Sequence, residues 1–315
     1  MVIRDWSSDV CSSDLITQLL LDLFAIFPND FGLLAVSAVL LNVSFAILFG
    51  AVPFQSWLST VATDGSPPVA TFIFTVNLGT VWFMLLNYLE TYPWLGRQIP
   101  LGMLFTGLGL VMMLGGGILA AAQRRLGRLV GYATLVDNGA MLIALGTERV
   151  EGIALAVLML LARPLALGLM TLGLQGLRAL GKGDDSHEAM LGSAWRAPWR
   201  AMAFLVGGIA MAGFPISLGF AARWGLYRLV AVEDLFLGTL ALAGSAGVML
   251  GLVGAIRTLL TPVTEEEAPK PMQAEDPVVL GLIVVLIVLT LALGFFPNMP
   301  SRIALQMAEW YTFFQ

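Results

Sequence analysis

An all-α, polytopic transmembrane helical bundle with discontinuous helices is predicted by three features of this sequence. Of its 315 residues, 58% are hydrophobic and 12% are charged, with a mean hydropathy of +0.87. A water-facing domain carries about 25% charged residues, so most of this surface must face lipid or apolar protein. Eight stretches are long and apolar enough to cross a bilayer as helix, and proline and glycine interrupt the run at two places.

The crossing stretches are Phe31–Gly50, Pro68–Leu89, Leu101–Ala122, Leu126–Thr147, Gly152–Leu177, Trp199–Ala222, Leu235–Leu260 and Val278–Phe296. Each approaches or exceeds the ~20 residues a spanning helix needs. Ile16–Phe27 reads as the stump of a further crossing, and the amphipathic tail Arg302–Phe314 as an interfacial segment. The first fifteen residues, with the near-repeat WSSDV then CSSDL, have no basic-then-apolar signal pattern and read as a non-native leader. The loops Arg178–Pro198 and Thr261–Pro277 read as hydrated, charged linkers.

Composition also excludes functions. The net charge of −5 comes from loops, and no basic patch points to nucleic acid. A single cysteine, Cys11, rules out an intrachain disulfide and iron–sulfur or zinc clusters. The only histidine, His187, lies in a polar loop. No metal site and no cofactor are therefore expected. Lysine and arginine fall nine on one side (Arg124, Arg125, Arg128, Arg178, Lys182, Arg196, Arg200, Arg257, Lys270) and five on the other (Arg97, Arg149, Arg223, Arg228, Arg302). The richer side is expected to be cytoplasmic, in a multi-pass protein of the cell (inner) membrane.

The interruptions locate a candidate site. Phe31–Gly50 is followed by a turn carrying Pro53 and then by Gly65-Ser-Pro67-Pro68; Trp199–Ala222 contains Gly213-Phe-Pro215. Proline removes a backbone donor and frees a carbonyl. Lipid cannot satisfy such groups, so these breaks belong inside protein or beside a hydrated cavity. Paired breaks in two halves point to a transport site. Asp137 and Arg163 each lie eleven residues into their stretches, roughly 16 Å deep at 1.5 Å per residue, and enter from opposite faces. A lone charge at that depth costs at least about 2.5–3.5 kcal/mol, so the two are expected to pair. Pro164, next to Arg163, is expected to open its helix locally. Arg223 reads as an interfacial, snorkelling arginine, and Asn77 as a deep amide that bonds a neighbouring helix. Gly247 and Gly251, extended by Ala243 and Ala255, predict a close helix contact within the chain. Gly176-Leu-Arg-Ala-Leu-Gly-Lys-Gly183 nearly spells a phosphate loop, but it lacks the Ser or Thr and the preceding strand and reads as a helix end.

Four stretches carry a resemblance. Pro53-Phe-Gln-Ser-Trp-Leu58 resembles a PFHxWLP turn, and Ser66-Pro-Pro-Val-Ala70 an APTPVSA turn. Arg128-Leu-Val-Gly-Tyr-Ala-Thr-Leu-Val-Asp-Asn-Gly139 resembles KRLLAYSSxxHxG. Ala203-Phe-Leu-Val-Gly207 with Ala212-Gly-Phe-Pro-Ile-Ser-Leu-Gly-Phe-Ala-Ala-Arg223 resembles AFLxG…AGxPPxxGFxSK. These are motifs of the antiporter-like membrane subunits of respiratory complex I, related to multi-subunit cation/proton antiporters. The resemblance implies two inverted five-helix repeats, with residues 16–89 the remnant of the first, 90–260 the second, and 261–315 a linker, last crossing and tail.

It also implies a mid-membrane proton route of lysines, histidines and a glutamate, from which this chain departs. Positions where lysine or histidine is expected fall at about Leu48, near Phe74–Gly79 and at Leu167; a histidine becomes Asp137, and the lysine after the second break becomes Arg223. No lysine or histidine occurs in any crossing stretch, and arginine does not release a proton at physiological pH. The expectation is a membrane subunit of a proton-pumping NADH–quinone oxidoreductase-like complex, conducting protons or scaffolding the membrane arm. Asp137 is then the titratable group at the centre, with Arg163 and Arg223 on the ion pathway. The alternatives are a cation/proton antiporter module without a redox partner and a non-conducting structural subunit. Expected partners are other membrane subunits, the lipid bilayer, and protons or monovalent cations.

Overall fold

The computed structural model describes residues 31–93, 95, 99–215, 217–261, 276–311 and 313, with side chains from residue 38 onward. The leader and Ile16–Phe27 lie outside the described residues. The chain partitions into residues Met1–Phe45, described here as helix from residue 31, and Ala46–Gln315.

The described residues form α-helices in the order α1 (Phe31–Phe49), α2 (Ser56–Asp64), α3 (Pro67–Phe72), a π-helical turn (Ile73–Asn77), α4 (Leu78–Thr91), α5 (Leu101–Ala121), α6 (Leu126–Gly146), α7 (Val150–Leu180), α8 (Ser193–Arg196), α9 (Pro198–Met211), α10 (Leu218–Glu233), α11 (Leu235–Leu260), α12 (Pro277–Phe295) and α13 (Asn298–Ala308). Six helical stretches have spanning length and composition: Pro67–Thr91, α5, α6, α7, α11 and α12. The chain is a multi-pass α-helical membrane protein.

α6 lies at the centre, with 89% of its apolar window buried. Glycine permits this. Gly109 of α5 and Gly139 of α6 face each other so closely that a Cβ on either would lie 2.5–2.6 Å from the other's carbonyl oxygen, and a Cβ on Gly131 would lie 2.8 Å from the α2 backbone. With backbones this close on two sides, the polar pair Asp137 and Asn138 has protein around it. At the other extreme stands α12, in which Ile283 and Thr290 alone are buried. Val279, Leu286 and Ile287 pack beside Ile283 against Leu169 and Ala203, and the rest of its apolar side chains, such as Val278, Val285 and Val288, are exposed.

Several expectations change at the level of elements. Pro164 does not open a helix: α7 runs through it from Val150 to Leu180. The proline forfeits one backbone bond, but α7 is packed against α6, α9, α10 and α13, which hold the turns on either side. The interrupted segment is longer than its apolar run indicates. α9 ends at Met211, and α10 starts anew behind Ser217, whose Oγ accepts from the Phe220 N–H at 3.3 Å. Arg223 is therefore mid-helix and not interfacial. Asn77 is exposed and lies in the π-helical turn; the cross-helix bonds of this span come from Thr71, whose hydroxyl is 2.5 Å from that of Thr171, and from Trp82.

The glycine seam of α11 packs inside the chain as expected, but its register is Gly244, Gly247, Gly251 and Ala255, with Ala243 exposed. A Cβ on Gly247 would lie 2.4 Å from Gly117 of α5. The tail helix spans Asn298–Ala308 and buries Pro300, Ala304 and Ala308, packing on α7.

Candidate functional site

The two breaks supply the site's backbone acceptors. At the first, α1 stops at Phe49 and Gly50 takes φ +70°. The Ile47 carbonyl accepts from Trp57 Nε1 at 3.0 Å, and the Phe49 carbonyl accepts from Asn138 Nδ2 at 3.0 Å. Pro67 and Pro68 lie past this break at the first turn of α3, where their missing donors cost nothing. At the second break, Gly213 has φ +71° and a Cβ there would lie 2.4 Å from Arg223 Cγ. Glycine is needed twice over, for the left-handed backbone and for the passage of the arginine stem. Pro215 lies in the same turn.

Between the breaks lies a buried ion triad. Asp137 Oδ2 accepts from Arg163 Nε at 2.8 Å and lies 2.7 Å from Arg163 Nη2; its Oδ1 accepts from Arg223 Nη2 at 2.9 Å. The three residues are 5%, 1% and 1% exposed. The predicted Asp137–Arg163 pair is thus present, and Arg223 joins it. Two guanidinium charges against one carboxylate leave a formal +1 on the cluster, which surrounding acceptors disperse. Arg163 Nη2 also donates to Asn138 Oδ1 at 2.7 Å and contacts Met141 Sδ at 3.1 Å. Arg223 Nη2 reaches the Met211 carbonyl, freed by the second break, at 3.1 Å, and Arg223 Nη1 donates to Ser245 Oγ at 2.8 Å. Tyr227 donates to the same Ser245 oxygen at 2.5 Å.

The result is an unbroken polar row: Phe49 carbonyl, Asn138, Arg163, Asp137, Arg223, Met211 carbonyl. It runs from one helix break to the other through an apolar core. Arg163 Nη1 is buried without a hydrogen-bond partner, and a cavity of about 10 Å³ is walled in part by all three charged residues. That is about the space one water molecule requires. Sequence reasoning missed Asn138, Ser245 and Tyr227. The signal for Asn138 was its position beside Asp137 in a segment that glycine packs from two sides. Leu167, where the resemblance implies lysine, is fully buried. Among the described residues no group of three or more His, Cys, Asp or Glu is placed to hold a metal ion.

A second charged cluster corrects the reading of Arg178–Pro198 as a solvated linker. Arg178 Nε donates to Asp185 Oδ2 at 2.9 Å, while its Nη1 and Nη2 donate to the Gly65 and Ala62 carbonyls at 3.0 and 2.7 Å. The same Asp185 oxygen accepts from the Gly127 N–H at 3.1 Å. Both side chains are buried. Arg178, in the last turn of α7, thus caps α2 at its C-terminus, and Asp185 of the loop caps α6 at its N-terminus. Above this clip, hydrogen bonds from Ser186 hold the Asp184 carboxyl below its usual range. Partial burial, and then the Arg124 charge, push the His187 imidazole down from its ordinary value.

Discontinuous helices with freed carbonyls beside buried charges are an arrangement that recurs in membrane transporters. The chain belongs to the NADH:quinone oxidoreductase/Mrp antiporter transmembrane family, which matches residues 15–251. It is 28% identical over 277 residues to NADH-quinone oxidoreductase subunit N 1 of Herpetosiphon aurantiacus, covering 86% of this chain and 55% of that protein. In fold it resembles a chain of the Mrp complex of Dietzia sp. DQ12-45-1b, with a TM-score of 0.75 at 15% identity, covering 88% of this chain and 59% of that one. It also resembles a chain of respiratory complex I of Thermus thermophilus, with a TM-score of 0.67 at 24% identity, covering 84% and 57%. The chain spans about half the length of the curated relatives it matches.

Proposed function

We propose that this chain is a membrane subunit of a proton-translocating, NADH–quinone oxidoreductase-like complex of the cell membrane, held among other membrane subunits, with the Arg163–Asp137–Arg223 triad as its charge-bearing centre. The observation that carries this reading is the buried polar row joining the two helix breaks. A row of this kind is costly in an apolar core and is accounted for if charge must pass or shift along it. Both Asp137 oxygens are engaged by guanidinium donors. Proton passage then requires one ion pair to open, so that the released carboxylate can take a proton from water beside the second break. The division into a remnant first repeat over residues 16–89 and a second repeat over residues 90–260 belongs to the same proposal.

A specific observation favours a second reading. Asp137 is held from two sides, which is also how a permanent strut would be built. One assay separates them. The full-length protein is reconstituted with its partner complex, and protons moved per electron pair are measured for Asp137→Asn/Arg163→Gln, a pair that keeps the triad's formal +1. Reduced stoichiometry with intact electron transfer supports the proton-carrying centre. A folded, assembled variant with unchanged stoichiometry leaves the strut.

A further inference from the structure

A groove of about 530 Å³ opens between the first half of α7, α10 and α13. Leu155 and Leu158 of α7, Leu229 and Val232 of α10 and Leu305 of α13 give it apolar walls. Charge stands towards its mouth, where Arg149 and Glu151 begin α7, and Arg228 lies about one turn further in on α10. Arg149 is paired with Glu233. Arg228 is exposed and has no ion-pair or hydrogen-bond partner among the described residues.

The groove's length is informative. Arg149 to Leu158 is nine residues of helix, roughly 14 Å, and Ala221 to Val232 on α10 is eleven, roughly 16 Å, with Arg228 one turn inside Val232. The hydrocarbon core is about 30 Å thick. The groove therefore runs about one leaflet deep, lined by apolar side chains apart from Ser301, with Arg149 and Glu151 at its mouth and Arg228 one turn inside, within side-chain reach of it. A helix crossing from another subunit would need a groove of the full thickness. From depth, lining and the unpartnered cation together we infer that this groove seats one phospholipid, its acyl chain along α7 and α10 and its phosphate on Arg228. The inner end is walled by Leu158 and Ala221. These lie beside Met159 and near Gly219, which wall the cavity at the triad. An acyl chain in place closes the triad off from that leaflet.

The test is native mass spectrometry of the full chain in mild detergent, titrated with phosphatidylethanolamine and, separately, with a diacylglycerol of the same acyl chains. The wild type is expected to retain one phospholipid per chain and to retain diacylglycerol poorly. Arg228→Gln should lower phospholipid occupancy roughly tenfold at subsaturating lipid, equivalent to about 1.4 kcal/mol. Ala154→Trp, which fills the groove, should abolish it. Arg257→Gln, an exposed arginine in the last turn of α11, should change nothing. Arg228 is exposed, so its replacement keeps the fold and its result stands whatever Ala154→Trp does. Equal retention by Arg228→Gln and the wild type, or equal retention of diacylglycerol and phospholipid, overturns the inference.

Discussion

Asp137 has both oxygens committed to guanidinium groups, so its removal leaves two buried cations facing each other. Asp137→Asn is expected to destabilise the protein by about 3–5 kcal/mol, the range for breaking a buried ion pair from one side. Adding Arg163→Leu should recover only part of that loss, because Arg223 still faces the vacated position. Thermal unfolding of the single and double variants in nanodiscs gives the coupling, expected within roughly 0.5–3 kcal/mol; strictly additive losses would rule out the pair. The Asp137–Arg163 contact was legible from helical depth alone, because 1.5 Å per residue from opposite faces brings both to the midplane. Arg223 was named through the family motif and not through depth, because the apolar run ends beside it. The signal that could have placed it mid-helix is Ser217, an N-cap residue that restarts a helix and carries Arg223 inward.

Among the elements, the α5–α11 contact rests on backbone approach. Gly247→Leu would drive a side chain into Gly117 and should sharply lower the yield of folded protein. Gly281→Leu on α12, with nothing within 4 Å of its Cβ position, should leave yield unchanged; size-exclusion recovery of the two compares them directly. The presence of this seam was legible from small-residue spacing, but its register was not, since four-residue spacing fits more than one face. Pro164 misled for a related reason. Proline chemistry marks a weak turn, yet neighbouring helices decide whether the turn opens.

The capping loop carries a pH signature. The folded His187 resists protonation, so the unfolded loop takes the proton first. Loop stability is then full above the ordinary histidine value of about 6.5 and falls as pH drops below it. Asp184, with its lowered carboxyl, acts the same way only below about 3.9. Proteolysis at the exposed Lys182 should therefore quicken between pH 7.5 and 5.5, and His187→Gln should flatten that dependence.

For the whole molecule, burial of Arg223 sharpens orientation. It leaves the poorer set of positive charges, which becomes Arg97, Arg149, Arg228 and Arg302, against eight on the other side once the buried Arg178 is left out in the same way. The loop bearing Glu188 is expected to be cytoplasmic. In a Cys11→Ser background, Glu188→Cys should resist a membrane-impermeant maleimide in intact cells and react after lysis; labelling of intact cells would invert the topology. Class and approximate crossings were legible because hydropathy reports directly on lipid contact. The polar row was only half legible, since its members come from five helices whose proximity no local pattern encodes.

The triad's uncompensated charge has a consequence for an energised membrane. A unit charge carried across the whole potential changes in energy by about 2.3 kcal/mol per 100 mV, so one held near the middle feels roughly half of that. Membrane voltage therefore acts directly on the Arg163–Asp137–Arg223 centre and pulls its positive charge towards the negative, cytoplasmic face. Polarisation and depolarisation would bias which of the two arginines holds the carboxylate more tightly.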